Sequence, residues 1–409
     1  MDIADKNIYE NIINFANDRT VLQMLRARPE FNDPEFFIRV LDRKYPYLKE
    51  LKEKDETWRR FFIQMTYYIA KLNEEFGIPY IPTKGYDPEE FYLIWNEIKN
   101  IYNFAMKWAA RGGHLDIVKY LIDEKGATRF NDAMSNAAYG GHLETVKYLI
   151  EKGARDFNGA MSEAAYGGHL NIVQYLIDEK GARDFNWAMT RAAEGGHLNI
   201  VQYLIDEKGA NNFNAAMLDA AFEGHLGIVK YLINEKGANN FSITMEYAAQ
   251  GGNLNIVKLM IEKAEEVGQE LDFNTAMSNA AKGGHLDIVR LMIKKGAKDF
   301  DSAMMNAAFG GHLDVVRLMI KKGAKDFNSA MRQAARRGHM KIIKYLIDKG
   351  ANDFNTAMSL AADEGYLDIV KLMIEKGKER NQRLNFNFAM DLAVNEGHID
   401  IVNYLNQFV

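Results

Sequence analysis

The sequence predicts an all-α fold, built as a stack of about eleven short helical hairpins and preceded by a small helical domain. Three observations predict it. A segment of mostly 27 or 28 residues recurs along about three-quarters of the 409-residue chain. Glycines cut each copy into two runs of helix length. Within each run the apolar residues fall on one face at 3.6 residues per turn.

The register is set by the residue that follows the loop glycine. It falls at His114, His142, His169, His197, His225, Asn253, His285, His312, His339, Tyr366 and His398. These eleven positions number the repeats one to eleven. Two spacings are longer, at 32 residues, and hold the segments 262–273 and 376–386. Eight residues before each register position stands a methionine, from Met106 and Met134 through to Met390.

Each repeat reads approximately Phe-Asn-x-Ala-Met-x-x-Ala-Ala-x-x-Gly-His-Leu-x-Ile-Val-x-x-Leu-Ile-x-Lys-Gly-Ala. The first helix is expected to begin after Asn103, Asn131, Asn158, Asn186, Asn214, Ser242, Asn274, Asp301, Asn328, Asn355 or Asn387. All eleven are N-cap residue types, whose side-chain oxygen accepts from an orphan backbone N–H. With that residue as position zero, Ala, Met, Ala and Ala occupy positions two, three, six and seven, one face of the helix. In the second helix Leu115, Val118, Leu121 and Ile122 form the apolar stripe. A glycine such as Gly126 ends it in the left-handed region, and lysines such as Lys294, Lys295, Lys321 and Lys322 suit its negative end. No repeat buries its apolar face alone, so stacking on neighbours is required. Connections between repeats should be very short, and the two longer spacings should appear as protrusions or as longer helices.

Residues 1–101 do not fit the repeat. They are rich in aromatics, among them Tyr9, Phe15, Trp58, Phe61, Phe62 and Trp95. Helix starts are legible at Asp33-Pro34-Glu35, Asp55-Glu56 and Asp87-Pro88-Glu89. The expected organisation is a helical domain over 1–101, capping the array, and a repeat array over 102–409.

The repeated Ala-Ala-x-x-Gly-His, followed by an apolar helix and Gly-Ala, resembles the ankyrin repeat. The departures are shortness, methionine for the usual leucine, and loss of the residues that form a β-turn finger in that family. This shortened Phe-Asn-x-Ala-Met form resembles the ankyrin proteins of giant DNA viruses of amoebae. The stretch 8–46 is loosely similar to the F-box-like segments of such proteins, although the Leu-Pro that commonly opens an F-box is absent. The resemblance implies binding of a protein partner along the solenoid groove. It also implies two alternatives: an adaptor recruiting a host protein to a cullin ubiquitin ligase through 1–101, or a self-assembling virion component. The location it implies is the host cytoplasm or the particle.

Little chemistry is legible beside this. All nine histidines stand at the register position. Stacked imidazoles would sit about 10 Å apart, too far to share one ion, so a structural bond to the loop backbone is expected rather than a metal site. There is no cysteine. No phosphate-binding glycine loop, His-Glu-x-x-His or nucleophile elbow occurs. No enzyme, cofactor or metal is expected. The net charge of -5 argues against a general nucleic-acid binder. No apolar run is long enough to span a membrane, and no secretory signal opens the chain.

Comparing the repeats with one another separates positions that build the stack from positions left for a partner. Positions one, four, five and eight of the first helix vary and share a stripe. Phe104, Trp108, Tyr139, Tyr166, Trp187, Leu218, Phe222, Tyr247, Met305 and Phe309 occupy it and are the candidate partner-binding residues, aromatics being enriched at interface hot spots. Charge also changes along the chain. Residues 111–281 hold 15 basic and 23 acidic residues, and residues 282–350 hold 15 and 6. Arg332, Arg336 and Arg337 in the basic part complete the candidate set, a polar surface fit to orient a partner or a second copy.

Overall fold

The computed structural model describes residues 102–409. The expected domain over 1–101, with its F-box-like segment, lies outside the described residues. Among the described residues there are 22 helices and no strand. They pair into hairpins, the first running over 102–111 and Leu115–Asp123 and the last over Phe386–Asn395 and Ile399–Leu405. The helices group into two compact units divided after Ala188. Inside each unit, first helices pack against first helices of the neighbouring repeats, and each packs on its own second helix.

The expected core columns are buried. Ala133, Met134, Ala137 and Ala138 in the first unit, and Ala216, Met217, Ala220 and Ala221 in the second, have no exposed surface. The methionine column is fully buried from Met106 to Met358, its unbranched thioether chain filling the gap between small alanines. Met390, in the last repeat, is half-buried. In the second helix the buried residues are those of the Ile172, Val173, Leu176, Ile177 pattern. Leu115 and Ile122, expected in the buried stripe, are half-buried. Leu115 opens its helix, where no preceding turn covers it.

Connections are short, as expected: Ala154, Arg155 and Asp156 alone separate Gly153 from the helix Phe157–Gly167. The two longer spacings become longer helices. Leu254–Val267 has 14 residues and Leu367–Glu379 has 13, against 9 to 11 in most repeats.

The capping expectation is corrected. First helices begin one residue earlier, at the phenylalanine, so the N-cap is the residue before it. Asp156 accepts from the Gly159 N–H, Asp299 from Ser302, Asp326 from Ser329 and Asp353 from Thr356; Arg129 and Asn240 make no such bond. The asparagine column turns forward to the next repeat instead. Asn131 Oδ1 accepts from the N–H groups of Arg155 at 2.7 Å and Asp156 at 3.1 Å. Asn274 does the same for Lys298 and Asp299, Asp301 for Lys325 and Asp326, and Asn328 for Asn352 and Asp353. The physical reason is that the tight connection leaves two backbone donors with no helical acceptor. A carbonyl or carboxylate oxygen one repeat back is placed to satisfy both.

The histidine column is a second tie between repeats. His142 Nε2 donates to the Arg111 carbonyl at 3.0 Å, His169 to Tyr139 at 2.9 Å, His285 to Gln250 at 3.0 Å and His339 to Phe309 at 3.0 Å. The bond to loop backbone was expected, but its acceptor belongs to the preceding repeat. Asn253 makes the equivalent bonds through Nδ2 to Ala221 and Phe222. The ring needs a bare backbone to lie on. Gly141 has φ +83°, and a Cβ there would stand 2.5 Å from the His169 ring, so glycine is required by space as well as by conformation. Burial holds the His142 imidazole below its ordinary pKa, the Arg111 carbonyl pulling the other way.

Candidate functional site

The stack consumes positions two, three, six and seven of the first helix. What remains is the stripe of positions one, four, five and eight, which the structure leaves mostly open, although position four is buried at Ser162, Thr190 and Ser359. The candidate residues on it are not equally available. Trp187 is 53% exposed and Tyr247 41%. Phe104, Trp108, Tyr139, Tyr166, Leu218, Phe222, Met305 and Phe309 are half-buried.

In the first unit the structure brings four of them together. Phe104 meets Trp108 edge-on with ring centroids 6.1 Å apart. The Arg111 guanidinium lies 5.1 Å from the Trp108 ring and 4.1 Å from Tyr139, and Tyr139 stacks on Tyr166 at 5.7 Å. Successive repeats thus build one continuous strip of rings and a cation along the first helices. Both kinds of contact are favourable in such geometry. The strip supports the packing of its own helices and leaves its rings half-exposed.

Among the candidate residues of the second unit the ring contacts fall at Phe309, covered by Arg337 at 4.2 Å and Lys282 at 5.5 Å. The other basic candidates are also engaged. Arg332 Nη1 pairs with Asp353 at 2.7 Å while Nη2 donates to Ser329. Arg336 reaches Glu364 at 3.4 Å. Burial pushes the Asp353 carboxyl up, but the Arg332 guanidinium and the Thr356 donors outweigh it and hold the group below its ordinary pKa.

Repeats five and six present the opposite case. Asp219 and Glu246 stand on the open stripe of the helices Phe213–Glu223 and Phe241–Gly251, and both are half-buried. No hydrogen bond or ion pair among the described residues reaches either carboxylate. Burial raises the Asp219 pKa, with Glu194 and Glu223 adding to it and Arg191 opposing; Arg191 is paired with Glu194. Burial likewise raises that of Glu246, and Asp272 adds to it. Beside them Ile243 and Tyr247 are each 41% exposed. Neither carboxylate stands out in the sequence by aromatic type or by net charge. The available signal was an acidic residue at stripe positions where several other repeats carry Ser or Asn.

A recess of about 480 Å³ opens where the helix Leu254–Val267 is lengthened. Ile233, Phe241, Lys263, Val267 and Gln269 line it, and Gln269 Oε1 accepts from the Phe241 N–H at 3.1 Å. Lys263 and Glu266 pair with each other at its rim. Among the described residues no group of three metal-ligating side chains occurs, and no helix is long and apolar enough to cross a membrane.

Comparison with known proteins agrees with this geometry. The family description "ankyrin repeats (3 copies)" matches residues 91–159, 106–187, 161–245, 245–331 and 331–407. No curated protein matches the chain. Similar solved structures include the pentatricopeptide repeat protein PPR10 in complex with an 18-nt psaJ RNA element, at 10% identity and a TM-score of 0.36, covering 98% of this chain and 68% of that one. PPR10 from maize is another, at 13% identity and a TM-score of 0.28, covering 98% of this chain and 72% of that one. These scores carry no argument about a ligand. The run of family matches over 91–407, together with the buried Ala-Met columns and the two ties between repeats, leads to one conclusion: the chain belongs to the ankyrin repeat family.

Proposed function

We propose that the chain is a non-enzymatic scaffold that binds a protein partner along the open stripe of its first helices. One observation carries this reading. The repeats spend their constant positions on stacking and leave most of the variable ones, including Trp187 and Tyr247, at least partly at the surface. Exposed aromatics on a rigid helical face are what protein interfaces favour. Replacing Trp187 and Tyr247 by serine is expected to weaken capture of the partner while thermal unfolding stays nearly unchanged. Capture of the same protein at wild-type strength would remove the stripe as the site.

Three finer readings go with it. Residues 1–101 act as a capping domain or as an F-box-like dock for a cullin ubiquitin ligase. Recovery of a ligase linker by a full-length chain, and its loss on deletion of 8–46, tests the dock. Self-association, as in a virion component, would show as concentration-dependent mass in solution. The viral resemblance favours an intracellular setting, host cytoplasm or particle. Nucleic acid is disfavoured as the ligand, since Arg332, Arg336 and Arg337 have partners within the fold. Binding that weakened steeply with salt would reverse that.

A further inference from the structure

The two ends of the sequence's charge asymmetry are not equivalent once folded. On the basic side the stripe cations are engaged: Arg332 by Asp353, Arg336 by Glu364, Arg337 and Lys282 by the Phe309 ring. On the acidic side Asp219 and Glu246 are half-buried with no hydrogen bond or ion pair among the described residues. They stand on first helices that pack side by side, about 10 Å apart. Residues 189–281 hold 6 basic and 12 acidic residues, a net charge of 6 − 12 = −6. Ile243 and Tyr247 on the same stripe are the most exposed apolar side chains of the first helices of these two repeats.

We infer that the first-helix face of repeats five and six docks a basic amphipathic segment of a protein partner. Its lysine or arginine side chains meet Asp219 and Glu246, and its apolar side meets Ile243 and Tyr247. The inference rests on the scaffold reading above and adds the chemistry of the partner.

Three physical reasons favour this occupant. A carboxylate already stripped of part of its water, and with no cation in direct ion-pair contact, has most to gain from an incoming cation. The field of the nearby Glu223 and Asp272 steers positive charge toward Asp219 and Glu246. The same field repels a phosphate backbone or a second copy of this acidic face. Leu218 and Phe222, half-buried on the stripe of the helix Phe213–Glu223, add apolar surface for the segment.

The test uses the full chain and a library of random 12-residue peptides selected for binding to it at low salt. Individual selected peptides are then labelled and titrated. The expected peptides combine lysine or arginine with phenylalanine, leucine or isoleucine. Their dissociation constant is expected to rise roughly tenfold or more in the Asp219→Asn/Glu246→Gln chain, with the melting temperature unchanged or higher. Ile243→Ser/Tyr247→Ser is expected to weaken the same peptides and serves as the second variant should the first unfold. Peptides that are acidic, or basic peptides indifferent to both variants, would overturn the inference and leave the scaffold reading standing. A selection that returns no binding peptide would count against both.

Discussion

The two sides of one first helix follow different rules. On the stack-facing side the same four residues recur from repeat to repeat, and Ala216, Met217, Ala220 and Ala221 have no surface left. On the open side of the same helix stand Leu218, Asp219 and Phe222, half-buried and without counterparts in the next repeat. The difference teaches that in a repeat fold, constancy marks energy and variation marks freedom. A constant residue satisfies the same neighbour each time, whereas a variable one has no neighbour that dictates it.

The comparison breaks most severely if the stack-facing side is emptied. Met217→Ala is expected to cost about 2–5 kcal/mol, the range for deleting a large buried side chain whose site cannot collapse. A lower midpoint in denaturant melts checks it. An unchanged midpoint would mean that the methionine column is not the mortar of the array.

The ties between repeats come next. His285→Ala removes the donor to the Gln250 carbonyl and is expected to cost about 1–3 kcal/mol, because a part-buried acceptor is left unmade. His285→Asn should recover part of it, as Asn253 already does this work one repeat earlier. Asn274→Ala, which abandons the N–H groups of Lys298 and Asp299, is expected to cost about 1 kcal/mol, since water reaches that connection. Faster amide exchange confined to residues 298 and 299 would locate the loss.

His142 adds a pH dependence to the same ties. Its folded pKa lies below the ordinary 6.5, burial being the main cause. The folded state therefore holds fewer protons than the unfolded chain. Stability is fully present above the unfolded pKa and is lost as pH falls toward the folded one. His142→Gln is expected to narrow the difference in melting temperature between about pH 7.5 and about pH 5.5. An equal difference in both chains would show that this imidazole does not titrate with unfolding.

Most of the fold was legible in the sequence because stacking repeats the same problem eleven times. The Ala-Met spacing and the glycines located every hairpin. The asparagine column was read as a set of caps, and the error has a physical source. A residue that bonds its own helix and one that bonds the next repeat recur with the same period, so periodicity alone cannot assign the acceptor's partner. The open stripe was legible as a face but not as a set of available groups. Burial separates Trp187 from Trp108, and pairing separates Asp219 from Arg332; neither is written in the residue type.

That last pair sharpens the comparison at its smallest scale, through the sign of an effect. Arg332→Gln leaves Asp353, a half-buried N-cap, without its guanidinium, and stability should fall by up to about 1 kcal/mol. Asp219→Asn removes a carboxylate whose folded pKa is raised. Such a group's contribution to the folded state is fully present below its unfolded pKa, near pH 4, and is lost as pH rises through the folded pKa. At neutral pH the substitution should therefore leave stability unchanged or increase it slightly, within about 0.5 kcal/mol. Melting temperatures of the two variants at neutral pH should thus lie on opposite sides of, or in one case at, the parent value. A clear loss for Asp219→Asn would mean that the carboxylate is already serving the fold, which would return repeats five and six to the same footing as the basic stretch.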